Sequence, residues 1–63
     1  MIANFYKTTG SNIKSATALL TTKNIDCIPS KGTFVWLSGQ KFIAEEVHFS
    51  IDLCEYSVYL SRV

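Results

Sequence analysis

The sequence predicts an α+β domain of two layers, one helix packed on a mainly antiparallel sheet of four to five strands, in the order β-α-β-β-β-β. Three observations lead there. Residues 33–37, Thr-Phe-Val-Trp-Leu, are almost all β-branched or aromatic, as a well-covered strand requires. Residues 54–61 alternate, with Cys54, Tyr56, Val58 and Leu60 on one face and Glu55, Ser57, Tyr59 and Ser61 on the other. Ile13, Ala16, Thr17 and Leu20 recur at the spacing of one helical stripe. A helix on a sheet is the smallest arrangement that hides both apolar faces.

Residues 2–8 read as the first strand, with Ile2, Phe5, Tyr6 and Thr8 as β-formers and with Asn4 and Lys7 suiting a sheet edge. Thr9-Gly10-Ser11 breaks the chain, and Ser11 can cap a helix over 12–23 by accepting from its first-turn amides. Thr21 and Thr22 are mediocre helix formers, so this helix depends on packing. Lys23 suits its negative end and Asn24 its termination. Ile25-Asp26-Cys27-Ile28 is a short strand, stopped by the turn Pro29-Ser30-Lys31-Gly32. After 33–37 comes the turn 38–41. Residues 41–49 read as a strand carrying Ile43, Val47 and Phe49 on one face. A helical reading of the same stretch gives the alternative β-α-β-β-α-β.

The chain is read as a single domain, 1–63, with no repeat or linker. Apolar residues at 48% and aromatics at 13% suit a compact core rather than a disordered chain. A domain this small buries only about 60% of its unfolded surface, which leaves room for a homo-oligomer. The net charge of +1 argues against a strongly basic nucleic-acid binder. Residues 1–31 carry Lys7, Lys14, Lys23 and Lys31 against Asp26, whereas residues 32–63 are acidic. There is no signal-peptide pattern and no apolar run able to cross a bilayer, so a cytoplasmic location, no membrane partner and free thiols at Cys27 and Cys54 are expected.

No active-site constellation stands out, and the expectation is of a protein that is not an enzyme and takes no cofactor. His48 is the sole histidine, and no spacing joins it to a cysteine and a carboxylate. Two distant cysteines and one histidine do not make a metal site. Glu45 and Glu46, adjacent on a strand, should point to opposite faces. Cys54 is assigned to the core, and Trp36 is expected to pack under the helix.

The favoured function is therefore a small interaction module that binds another protein as a regulator or inhibitor, a form common among products of mobile elements and phages. Its anchors would be Tyr6, Trp36, Tyr56 and Tyr59, because Tyr and Trp give contact area at low entropy cost. The alternative is a single-stranded nucleic-acid binder. It would stack bases on Phe34 and Trp36 and hold phosphates with Lys31 and Lys41.

Overall fold

A computed structural model describes residues 1–8 and 18–63, and among these it contains five strands and no helix. They are β1 (Ile2–Lys7), β2 (Ala18–Asn24), β3 (Phe34–Leu37), β4 (Gln40–Ser50) and β5 (Glu55–Arg62). One sheet holds them all in the order β2-β1-β5-β4-β3, curled into a half-barrel. The β1–β5 pair is parallel, and the other three pairs are antiparallel.

The α+β class is thus replaced by an all-β sheet. The expected helix fails over its second half, where residues 18–24 form β2 and pair with β1 from Ile2–Asn24 to Lys7–Ala18. The helical spacing lost to tertiary pairing that local propensity supports: Thr21 and Thr22 favour extended backbone, and Thr22 Oγ1 donates to Asn4 Oδ1 at 2.6 Å. The cap at Ser11 and the stripe residues Ile13, Ala16 and Thr17 lie outside the described residues. β1 is not an edge, since β2 and β5 flank it. The edge strand β2 carries an irregularity at Leu20 and a lysine at 23, two features that discourage further pairing.

No strand forms at 25–28. Ile25 N–H donates to the Met1 carbonyl at 2.8 Å, and the chain then leaves the ladder before Pro29, which has no N–H to offer one. Ile25 and Ile28 instead pack against the core, covering part of the sheet face that the helix was expected to cover. That core is Ala3, Phe5, Phe42, Ala44, Val58 and Leu60, with Val35, Leu37, Val47 and Tyr56 at its margin. Central strand β5 supplies the two largest fully buried side chains, Val58 and Leu60. The alternation expected for this strand holds at Tyr56, Val58 and Leu60 but not at Cys54. That residue lies in the β4–β5 turn with φ 53°, exposed, because a left-handed residue is needed to close the loop. Cys27 is likewise an exposed free thiol.

Two tight turns set the position of β3. Thr33 N–H donates to the Ser30 carbonyl at 3.0 Å with Gly32 at φ 89°, a type II turn. Gly32 N–H donates to the Ala44 carbonyl and Ala44 N–H to the Thr33 carbonyl, so the same glycine forms a bulge that feeds the chain into β3. At the other end Ser38 and Gly39 both have positive φ, 52° and 77°, the type I′ geometry that matches strand twist. A methyl group at Gly39 would meet nothing within 4 Å, so its cost is conformational alone. Gly39→Ala should destabilise by about 1–2 kcal/mol, lowering the melting temperature by roughly 5–15 °C in a domain of this size. Thermal denaturation followed by circular dichroism checks this.

Candidate functional site

The face of the sheet opposite the core gathers most of the exposed aromatic groups. Side chains alternate across a strand, so burial of Phe5, Val58 and Leu60 sends Tyr6, Tyr59 and Ser61 to the other side. The register carries that face outward, Ser61 opposite Ile43 and Ile43 opposite Phe34. Trp36, two residues on from Phe34, faces the same way. Its exposure is 68% and that of Phe34 is 54%, which overturns the expectation that Trp36 is core. The reason is plain: no helix lies on that face among the described residues, and Val35 and Leu37 turn inward instead.

Lys41 pairs with Trp36 across the β3–β4 hairpin and places its ammonium 4.3 Å from the Phe34 ring centroid. This is a cation–π contact, worth about 0.5–1 kcal/mol at an exposed site. Lys31, at the type II turn, reaches Glu46 Oε2 at 3.4 Å. Nearer the sheet centre, Tyr6 and Tyr59 lie opposite each other on parallel strands, with rings stacked at 5.3 Å and 20°. His48 meets Tyr59 edge-on at 5.2 Å, and its Nε2 lies 3.3 Å from Glu46 Oε1. Below that row Asn4 Nδ2 donates to Glu55 Oε2 at 3.2 Å.

A bulge in β4 reshapes the acidic part of the face. The β4–β5 register shifts between Ala44 and Glu46, so Glu45 is the extra residue. Ser61 Oγ donates to Glu45 Oε2, while Glu46 sits opposite Tyr59. Both carboxylates therefore lie on the outer face, and the expectation that they point apart is corrected. His48 and then Lys31 hold the Glu46 carboxyl below its usual pKa by hydrogen bonding, with Lys31 adding its charge. Glu46 is thus ionised at neutral pH and occupies Lys31.

The residues singled out in the sequence divide between two faces. Lys31, Phe34, Trp36 and Lys41 fall on the outer face around β3, and Tyr6 and Tyr59 on the same face at the centre. Tyr56 lies on the core face, half-buried, with its ring 4.7 Å from Phe49. Glu46 and His48 were not anticipated beside the tyrosines, since only the bulge at Glu45 sets that register.

Chemically the arrangement offers flat apolar rings and two ammonium groups, with no enclosed cavity among the described residues. Among the described residues no three His, Cys, Asp or Glu side chains gather to hold a metal, and no helix is long and apolar enough to cross a membrane. Comparison with protein-family models, curated proteins and solved structures finds no match to this chain.

Proposed function

We propose that this domain binds single-stranded nucleic acid on the outer face of its sheet. The observation that carries the reading is the exposed pair Phe34 and Trp36, bracketed by Lys41 and Lys31, on the face that also holds Tyr6 and Tyr59. Unpaired bases stack on such rings with about 1–3 kcal/mol per base, and nearby ammonium groups follow the phosphates. Glu45, Glu46 and Glu55 share that face, so stacking rather than charge supplies most of the affinity.

Fluorescence anisotropy of labelled 12-nucleotide strands, oligo-dT and oligo-U, tests this against a duplex of equal length. The expected result is binding to single strands at moderate salt and much weaker binding to the duplex. Equal binding to both, or none to either, contradicts the proposal. Lys41→Glu should weaken single-strand binding several-fold, by removing one phosphate contact and adding a repulsive one.

A second reading, a protein-docking module, draws support from Phe49, Ile51 and Leu53, which expose apolar side chains at the β4–β5 turn. It predicts that the parent protein binds no oligonucleotide and that Ile51→Ser with Leu53→Ser abolishes capture of a protein partner.

A further inference from the structure

Resting on that reading, we infer that the bound element is a short run of two or three consecutive unpaired nucleotides laid along β3, with successive bases on Phe34 and Trp36 and the phosphate between them on Lys41. The spacing is the argument. Phe34 and Trp36 are two residues apart on one strand, which sets their attachment points about 6.4–6.8 Å apart. That is about twice the 3.4 Å rise per nucleotide of a duplex strand. Bases on the two rings are therefore pulled off one another, which a single strand permits and a paired one does not.

The flanking groups fit the same track. Lys41 begins opposite Trp36 and its ammonium lies over one side of the Phe34 ring at 4.3 Å, so the cation stands at the Phe34 end of the pair, within a side chain's swing of a phosphate between the two rings. Tyr59 offers no further platform of this kind, because Tyr6 covers one side of its ring and the His48 edge meets it as well. The track is thus limited to β3 and its immediate margins. Lys31 stands at its far end but is held by Glu46 at 3.4 Å, so the same carboxylate that orders the face withholds one cation from the ligand.

A length series of oligo-dT and oligo-U from one to twelve nucleotides, read by Trp36 fluorescence and calorimetry, tests this. Affinity should rise by roughly 5- to 150-fold with the second stacked base and level off by three or four nucleotides, apart from the statistical gain of a longer lattice. The slope of log K against log salt should be about −0.7, the value for the single phosphate contact at Lys41. Glu46→Gln should strengthen binding and steepen that slope by about 0.7 as Lys31 is released. A merely damaging substitution would do neither. Binding of the 12-mer with affinity still climbing beyond six nucleotides, or with Glu46→Gln weakening it, overturns the short track while leaving single-strand binding intact. Failure of the 12-mer to bind removes the underlying reading itself.

Discussion

Trp36→Ala is expected to lower affinity for a single-stranded 12-mer by roughly 5- to 150-fold, the equivalent of one lost base stack, and to leave the fold in place. Both halves of the expectation follow from position. Trp36 lies on edge strand β3 with two thirds of its surface in water, so truncation opens no cavity. Substitutions at such sites usually change stability by no more than about 0.5 kcal/mol. Across the hairpin it pairs with Lys41, whose ammonium rests on Phe34. Phe34→Ala should give a smaller loss, because Lys41 already occupies part of that ring. The pair should not be additive, since both substitutions alter one contiguous surface. Anisotropy titrations of the single and double variants, with melting curves as the control for folding, measure this.

Leu60→Ala is expected to produce the largest loss of stability, about 2–5 kcal/mol. Leu60 is completely buried on central strand β5, opposite Ala44 and beside Phe5 and Phe42 in the core cluster. Its neighbours sit on β1 and β4, on either side of β5, so the gap left by three missing carbon atoms cannot be closed by moving one element. A 63-residue domain has a stability of about 3–9 kcal/mol in total, so this one change should unfold a large fraction of molecules at physiological temperature. Ile51→Ser, at a turn residue that is 80% exposed, should change stability by no more than about 0.5 kcal/mol. Urea denaturation of the two variants beside the parent separates the outcomes.

Four strands were legible in the sequence: the readings at 2–8, 33–37, 41–49 and 54–61 correspond to β1, β3, β4 and β5, and around β3 and β4 the bounding turn residues have chemistry that is local. Ser38-Gly39 and Ser30-Lys31-Gly32 adopt the backbone that glycine permits, and the β-rich runs between them have nowhere else to go. Residues 18–24 were not legible. Their spacing satisfies a helix, and the pairing that makes them a strand depends on β1, whose first residue lies 22 positions away from its partner Asn24. The parallel docking of β1 on β5 is more distant still, joining Ile2 to Glu55. No local pattern encodes either contact.

The site shows the same division. Phe34, Trp36, Lys31 and Lys41 could be grouped in advance because one hairpin carries them all. The neighbourhood of Tyr6, Tyr59, His48 and Glu46 could not, since it requires three strands and a bulge at Glu45 that shifts everything after it by one residue. Trp36 was misplaced because a large aromatic on an apolar strand ordinarily belongs to a core. Here the core lies on the other side, filled from Val35, Leu37 and the loop residues Ile25 and Ile28.

The most direct test is a nuclear magnetic resonance titration of isotopically labelled protein with a trinucleotide and a 12-mer of single-stranded DNA and RNA. Saturable shift changes should concentrate at Lys31, Phe34, Trp36 and Lys41, with smaller ones at Tyr6 and Tyr59, and the indole N–H of Trp36 should move most. Amides around Val58 and Leu60 should hold their positions. No shift at saturating oligonucleotide, or shifts confined to the turn from Phe49 to Cys54, would contradict a nucleic-acid surface on the outer face of this sheet.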